Sequence, residues 1–340
     1  MKRLFSFVMM VLFLAAAVLT AGCTGAPAGE PTEPNVSDQA IASESQAAED
    51  NAEPSEEAPT QETTAEQSMW AIAHNNKIEH PVNIAGFLNE DIGFTVGFSG
   101  EVHYTIDAGQ TWPEGENSSM CLFCLDIIDE NLVWAAGNGY NVRVSHDGGK
   151  TWDAASDISL GGMPSNIDFV DDTTGWIATQ SRFASTKDGA ATWTEMALPE
   201  GAESIAAISL RTAQDGYLLT REGQLFTTAD GGATWSGQDL GLKDYGIIDM
   251  QKEPKLGKSN IAAADISFTD EKNGTIVLTG MYSEGGFIAW CLTTADGGAT
   301  WEAEQIPDLG FSATKVFLTT DGQYLTMASN GNDTALLKRQ

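Results

Sequence analysis

The sequence predicts an all-β protein that folds as a six-bladed β-propeller with four-stranded antiparallel blades. Three observations predict this fold: a motif of eight residues occurs five times, its copies are regularly spaced, and short apolar stretches alternate with turns rich in Gly and Asp. The motif reads hydroxyl, any, Asp, any, Gly or Ala, any, Thr, Trp. Its five copies are Thr105–Trp112, Ser145–Trp152, Thr186–Trp193, Thr228–Trp235 and Thr294–Trp301.

The spacing of the motif gives the size of the structural repeat. The Asp residues of the first four copies are 40, 41 and 42 residues apart. The fifth Asp follows the fourth by 66 residues, which corresponds to one repeat with an insertion of about 25 residues. A period of about 40–45 residues that holds four short strands is typical of a propeller blade.

Counting the repeats gives six units. They begin near Val82, Cys121, Asn166, Ser204, Ala262 and Ala313. The last unit has only three strands, whereas a spare strand at residues 68–73, which contains Trp70, precedes the first unit. We therefore expect this N-terminal strand to complete the last blade and close the ring, which removes exposed sheet edges. Seven blades are the alternative if residues 238–260 form a degenerate blade, although their Lys- and Gly-rich sequence favours a loop.

Each copy of the motif is expected to form the turn of a β-hairpin. An Asp at the start of a tight turn accepts hydrogen bonds from the backbone N–H groups that follow it, and glycine supplies the positive φ of the turn. The Trp then begins the next strand, where its ring covers the space between packed sheets. Ala190 replaces the second glycine of one copy, so a slight distortion is expected there. The residues predicted to have this structural role are Asp107, Trp112, Asp147, Trp152, Asp188, Trp193, Asp230, Trp235, Asp296 and Trp301.

Three acidic pairs recur in the first turn of their repeats. They are Glu90/Asp91, Asp171/Asp172 and Asp270/Glu271. Such pairs resemble catalytic carboxylates, but their recurrence at one structural position favours turn chemistry.

The repeated motif resembles the Asp-box, or BNR repeat, of sialidases, sortilin-type receptors, some glucanases and the photosystem II assembly-factor propellers. The resemblance covers residues 69–340, about four-fifths of the chain. It implies a propeller domain over these residues. It also implies that the Asp-boxes lie on the face away from the ligand site, as they do in those families.

The N-terminus has the features of a bacterial lipoprotein signal peptide over residues 1–22. Lys2 and Arg3 precede the apolar segment Leu4–Val18, which is typical of a secretory signal. The segment ends in Leu-Thr-Ala-Gly-Cys23, which resembles a lipobox. We expect cleavage before Cys23 and lipidation of its sulfur, which would anchor the protein to the cell membrane outside the cytoplasm. The alternative is an ordinary signal peptide with a chance cysteine.

Residues 23–68 are predicted to be an acidic, disordered tether between the lipid and the propeller. Eleven acidic residues lie between Glu30 and Glu66, and no Lys or Arg occurs there. Such a composition cannot bury enough apolar surface to fold. The formal charge of −31 becomes −33 without Lys2 and Arg3, and about −22 for the propeller alone. Nucleic acid and anionic lipid headgroups are therefore unfavourable partners.

The remaining cysteines are Cys121, Cys124 and Cys291. An odd number of thiols cannot all pair within one chain, and zinc requires about four ligands, whereas no second Cys pair exists. Cys121 and Cys124 would also point to opposite faces of a regular strand. We expect all three to be buried as small apolar side chains, and we predict neither a metal nor a cofactor.

Two functional hypotheses follow. The first is a non-enzymatic recognition or assembly propeller that binds a protein or a glycan. The resemblance at Ile167–Trp193 to photosystem II assembly-factor-like propellers and related bacterial BNR lipoproteins favours it. The alternative is a sialidase-like or glucanase-like glycoside hydrolase. The chain lacks the Arg-Ile-Pro motif of sialidases, but carboxylates paired only in space are invisible in a sequence, so hydrolysis stays open.

Strand alternation predicts the binding face. The loops between the second and third strands, and those between blades, must lie opposite the Asp-boxes. Residues of these loops are candidate ligand contacts, because loops on rigid scaffolds commonly carry function. The candidates are Glu101, Tyr140, Asn141, Arg182, Arg221, Glu222, Lys243, Asp244, Tyr245, Tyr282 and Glu284. Arg182 and Arg221, rare cations on adjacent blades, are predicted to hold a carboxylate or an acidic partner segment.

Overall fold

The computed structural model describes residues 68–118, 120–138, 141–242, 261–281, 287–307, 309, 315–328 and 331–340. These residues form 23 β-strands in six antiparallel sheets. The all-β, six-bladed prediction is confirmed. The predicted signal peptide and Cys23 lie outside the described residues, as does the predicted tether except for Ser68, whose hydroxyl donates a hydrogen bond to Glu304.

Each blade is numbered by the order of its innermost strand in the chain. The chain begins with β1 (Trp70–Val82). Blade 1 contains β2 (Ile84–Phe87), β3 (Gly93–Val96) and β4 (Val102–Thr105). Blade 2 contains β5 (Leu122–Ile127), β6 (Val133–Gly137), β7 (Asn141–Ser145) and β8 (Asp153–Asp157). Blade 3 contains β9 (Asn166–Phe169), β10 (Gly175–Ala178), β11 (Phe183–Thr186) and β12 (Thr194–Met196).

The second half of the ring repeats this arrangement. Blade 4 contains β13 (Ala207–Leu210), β14 (Gly216–Leu219), β15 (Gln224–Thr228) and β16 (Ser236–Asp239). Blade 5 contains β17 (Ile261–Phe268), β18 (Gly274–Met281), β19 (Phe287–Thr294) and β20 (Glu302–Gln305). Blade 6 contains β21 (Lys315–Leu318), β22 (Tyr324–Ala328) and β23 (Gly331–Arg339). The described residues contain no seventh sheet.

The N-terminal strand closes the ring as predicted. β1 is the outermost strand of blade 6 and pairs with β23, with Trp70 opposite Arg339. Trp70 is 2% exposed and packs in a buried cluster with Cys291 of blade 5 and Leu337 of blade 6. The first and last segments of the propeller are therefore held in one sheet.

Blade 1 departs from the four-stranded pattern. Its outer strand is reduced to a single bridge between His103 and Glu114. Pro113 has no N–H to donate to the ladder, although its carbonyl oxygen accepts a 3.1 Å bond from Tyr104 N. A Cβ at Gly115 would lie 2.2 Å from the carbonyl oxygen of Gly149, so the backbone of blade 2 approaches closely there.

Aromatic rings fill the spaces between blades. Trp134 of blade 2 stacks on Phe169 of blade 3 with ring centroids 3.9 Å apart, and the Asp-box Trp193 meets the same Phe169 edge-on. Tyr217 of blade 4 stacks in the same way on Phe268 of blade 5. The Asp-box tryptophans thus extend the apolar packing between neighbouring sheets, as their position in the motif predicts.

The three cysteines of the propeller are free and buried, which confirms the prediction. The ladder between β5 and β6 has an irregularity between Leu122 and Cys124, so the strand contains the kind of bulge that a local disulfide would need, yet none forms. Burial raises the pKa of Cys124 to about 12 and that of Cys291 to about 11. Both thiols are therefore protonated at neutral pH and act as small apolar side chains.

Candidate functional site

The Asp-box turns are closed by hydrogen bonds within the motif. In the fourth copy, Asp230 Oδ1 accepts bonds of 2.8 Å from both Thr234 N and the Thr228 hydroxyl, and Asp230 Oδ2 accepts one of 2.6 Å from the Thr234 hydroxyl. Thr228 Oγ1 in turn accepts a 2.9 Å bond from Gly232 N. The other four copies repeat these contacts. Ala190 keeps its bond to Thr186 at 3.1 Å and adopts φ 62°, so its turn retains the common form.

These hydrogen bonds also stabilise the charged form of the Asp-box carboxylates. The bond from the Thr234 hydroxyl is the largest of the effects that lower the pKa of Asp230 to about 2. The equivalent threonine hydroxyl is the main cause of the lowered pKa of Asp188 and of Asp296, whereas the backbone N–H of Thr111 is the main cause for Asp107. Both oxygens of each carboxylate are used inside the turn, which fits the structural role predicted for them.

The first turns of the blades lie on the same face as the Asp-boxes. A backbone N–H of each Asp-box donates to the carbonyl oxygen of a first-turn residue in its own blade, as Gly231 N does to Gln214 O at 2.8 Å. Asp171 Oδ1 accepts bonds from Thr173 N and Thr174 N, and Asp270 Oδ1 closes the corresponding turn of blade 5. Because the strands are antiparallel, the loops between second and third strands lie on the opposite face.

The predicted contact residues on that opposite face have separate surroundings. Glu101 accepts a 2.9 Å bond from Ser99 N and closes its own turn. Asn141 donates to the carbonyl oxygen of Asn138 at 3.2 Å. Glu222 accepts a 2.7 Å bond from the Ser204 hydroxyl. The predicted residues that lie outside the described part of the chain are Tyr140, Lys243, Asp244, Tyr245, Tyr282 and Glu284.

Arg182 and Arg221 do not share a partner. Arg182 is exposed and forms a 3.4 Å ion pair with Glu195 on the outermost strand of its own blade. Arg221 instead reaches the start of β17 in the next blade, where its Nη1 donates to Ile261 O at 2.8 Å and to Ala262 O at 3.4 Å. Arg221 therefore links blade 4 to blade 5 and also lies in a loop that is predicted to bind the ligand.

A cavity of about 380 Å³ lies at the centre of the ring. Residues of all six innermost strands line it, and Arg221 and Lys315 contribute the cations at the strand ends away from the Asp-boxes. Lys315 is not among the residues that the sequence predicts for the site. The available signal was a Lys at the first position of an innermost strand, where the other blades have apolar or neutral residues.

Three carboxyl groups also line this cavity and join adjacent blades. Asp126 accepts a 2.6 Å bond from Phe169 N, and Asp168 accepts a 3.1 Å bond from Leu210 N. Asp265 Oδ2 likewise accepts a 2.6 Å bond from Leu318 N. Burial is the main cause that raises the pKa of Asp126 and of Asp265 to about 7, and the charge of Asp265 further raises that of Asp126. The pKa of Asp168 is raised for the same reasons.

Two classes of feature are missing from the described residues. They contain no cluster of His, Cys, Asp and Glu that could bind a metal ion. The described part of the chain also holds no helix with the length and apolarity that a membrane crossing requires.

The fold and the repeated turns define a BNR/Asp-box propeller. Residues 143–154 match the family described as BNR/Asp-box repeat. Residues 155–338, more than half of the chain, match the family described as photosynthesis system II assembly factor YCF48, and the chain belongs to that family. It is also 23% identical over 309 residues to "Photosystem II assembly lipoprotein Ycf48" of Synechococcus sp. (strain CC9902), covering 80% of this chain and 90% of the relative.

Solved structures share the propeller architecture. A structure of "YCF48 bound to D1 peptide" matches with a TM-score of 0.50 and 16% identity, over 81% of this chain and 98% of that chain. The WD40 repeats of RRP9 match with a TM-score of 0.52 and 9% identity, over 80% of this chain and 97% of theirs. At these identities the similarity concerns the fold alone.

Proposed function

We propose that this chain is a non-enzymatic assembly propeller that binds a segment of a partner protein on the face opposite the Asp-boxes. Membership of the YCF48 family supports the assembly role, and one solved relative is a YCF48 bound to a D1 peptide. A lipid on Cys23 would hold the propeller at the outer surface of the cell membrane, and the name of the Synechococcus relative supports this anchoring.

The choice of binding face rests on a difference between the polar groups at the two faces of the propeller. On the Asp-box face, the side-chain oxygens and backbone N–H groups of the turns are used by one another. On the opposite face, Arg221 and Lys315 line the end of the central cavity. A concave site with a few converging polar groups suits a peptide side chain or chain end.

Site-specific photo-cross-linking in living cells tests this face. A photoreactive residue is placed at Ser181, in the exposed loop beside Arg182, or at Gln110, in an exposed Asp-box turn. We expect a discrete protein adduct from position 181 and none from position 110. Equal adducts from both positions, or an adduct from position 110 alone, would contradict the proposed face. A glycan array probed with the purified propeller tests glycan binding as the competing outcome.

A further inference from the structure

We propose that Lys315 and Arg221 form a carboxylate-binding site at the end of the central cavity away from the Asp-boxes. This proposal rests on the proposed function, because a bound peptide segment would be the source of the carboxylate. Its chemistry can be tested without the partner protein.

The fold brings the two cations to one end of one cavity. Lys315 is the first residue of the innermost strand β21, and innermost strands run from the binding face toward the Asp-box face. Arg221 lies in the loop between β14 and β15 on that same binding face. Both side chains line the cavity, and the positive charge of Arg221 contributes to the lowered pKa of Lys315.

Neither cation forms an ion pair in the described part of the chain, although the negative charge of Glu222 favours the charged form of Arg221. The ion pairs found there involve Arg182, Arg211 and Lys338 instead. Cys124, which lies near Lys315, is a neutral thiol because burial raises its pKa to about 12. Arg221 Nε is buried without a hydrogen-bond partner among the described residues. Arg221 and Lys315 are partly buried, lack an ion pair and repel each other, and an anion bound between them would relieve this repulsion.

The other end of the cavity limits how the anion can bind. Asp126 and Asp168 are the penultimate residues of β5 and β9, so they lie toward the Asp-box face. Burial at that depth already disfavours the charged form of these carboxyls, and it disfavours another negative charge for the same reason. A single carboxylate would therefore stop beside Lys315 and Arg221. Arg221 keeps Nη1 on the β17 carbonyls and offers its Nε, whereas Lys315 offers an ammonium with three donors.

A carboxylate differs from an apolar ligand because its negative charge would oppose the effects that lower the pKa of Lys315. Burial is the main cause that lowers the pKa of Lys315, and Arg221 adds to it. An anion bound between the two cations would favour the charged ammonium. Binding should therefore raise the pKa of Lys315, which gives a direct spectroscopic readout.

The test is an NMR titration of the full chain with labelled lysine side chains. N-acetylglycine supplies a chain-end carboxylate, N-acetylaspartic acid α-amide supplies a side-chain carboxylate, and N-acetylglycinamide is the neutral control. We expect at least one carboxylate to shift the Lys315 signals saturably and to raise its pKa, while the amide does neither. The carboxylate that binds more tightly shows whether the site prefers a chain end or an acidic side chain. Absence of saturable binding by both, or equal binding of the amide, overturns the proposal.

Variants separate charge from structure. Titration calorimetry compares the variants, because substitution of Lys315 removes its NMR signals. Lys315→Met should weaken carboxylate binding at least about tenfold, the factor that corresponds to one lost charged contact, whereas Lys315→Arg should retain most of it. Lys150→Met, on the Asp-box face, is the matched control and should bind like the original chain. Full binding by a folded Lys315→Met variant overturns the site. Carboxylate binding without any protein adduct at position 181 would instead contradict the proposed function and leave the site intact.

Discussion

The Asp126 carboxyl accepts a 2.6 Å hydrogen bond from Phe169 N, which joins the innermost strands of two neighbouring blades. Asp168 and Asp265 make the equivalent contacts to their next blades. The charge of Asp265 adds to the raised pKa of Asp126, and both of these carboxyls add to the raised pKa of Asp168. The interior of the ring is therefore held partly by acidic groups whose protonation is linked to folding.

The Asp126→Asn substitution should reduce the pH dependence of stability. Between about pH 4 and pH 7 the unfolded chain loses the Asp126 proton, whereas the folded chain keeps it, since the folded pKa is about 7. Stability from this group is thus full below about pH 4 and is lost as the pH rises toward 7. Asn cannot ionise, so the fall in unfolding free energy between pH 5 and pH 8 should shrink by about 1 kcal/mol or more.

Chemical denaturation of both proteins at a series of pH values measures this effect. The exposed residue Asp172 is the control position, because Asp172→Asn removes an acid of the first-turn pair without touching the cavity. An unchanged pH profile in Asp126→Asn would show that Asp126 has an ordinary pKa in the folded chain.

The Asp230→Ala substitution should lower the thermal midpoint by several degrees and leave binding per folded molecule unchanged. It removes the acceptor for Thr234 N and for the hydroxyls of Thr228 and Thr234 in one turn. Differential scanning calorimetry measures the midpoint, with Asp172→Ala as the matched acidic control. Lost binding at an unchanged midpoint would mean that the Asp-box face contacts the ligand.

The repetitive features of this fold could be predicted from the sequence because they depend on local chemistry. A tight turn needs Asp, Gly and Thr at fixed positions, and the distance between turns fixes the blade length. The closing strand could be predicted by counting strands, because the last unit has three strands and one further strand, which contains Trp70, precedes the first unit. The reduced outer strand of blade 1 was missed, although Pro113 and Gly115 were visible as weak strand formers.

The interior of the ring could not be predicted in the same way. Asp126 and Asp168 lie in strands whose side chains alternate between the two faces of the sheet. An acidic residue in such a strand is ordinarily assigned to the exposed face. Only ring closure turns that face toward a central cavity. Similarly, Arg182 and Arg221 lie in equivalent loops, Arg182 directly before β11 and Arg221 two residues after β14. One side chain turns outward to Glu195 and the other reaches Ile261. Long side chains have several rotamers, and only the neighbouring residues select among them.

The Trp70→Ala substitution should destabilise the propeller by about 3–5 kcal/mol, the usual cost of removing a buried Trp side chain. Trp70 is 2% exposed at the start of the strand that closes the ring. Ile72 on the same strand is 48% exposed, so Ile72→Ala should change stability by less than about 0.5 kcal/mol. Equilibrium unfolding in urea compares the two. Equal losses of unfolding free energy would mean that closure of the propeller does not depend on the buried Trp70 side chain.

The Cys23→Ala substitution should release the protein from the membrane or leave its precursor uncleaved. The expected lipid on Cys23 is the anchor, and a thioether to lipid requires the sulfur. Fractionation with mass spectrometry of the N-terminus measures both properties, and Thr24→Ala is the adjacent control. Normal cleavage with full membrane retention in the Cys23 variant would remove the lipoprotein assignment.

The two candidate arginines should differ in their effect on stability. Arg221 Nη1 donates to Ile261 O and Ala262 O between blades 4 and 5, so Arg221→Met should cost about 1–3 kcal/mol by leaving these carbonyls without a donor. Arg182 makes an exposed ion pair with Glu195, and Arg182→Met should change stability by less than about 1 kcal/mol. Urea denaturation at pH 7 measures both variants against the original chain. Because the substitutions are chemically identical, their difference isolates the surroundings of each guanidinium. A larger loss at Arg182 than at Arg221 would contradict the structural contact assigned to Arg221.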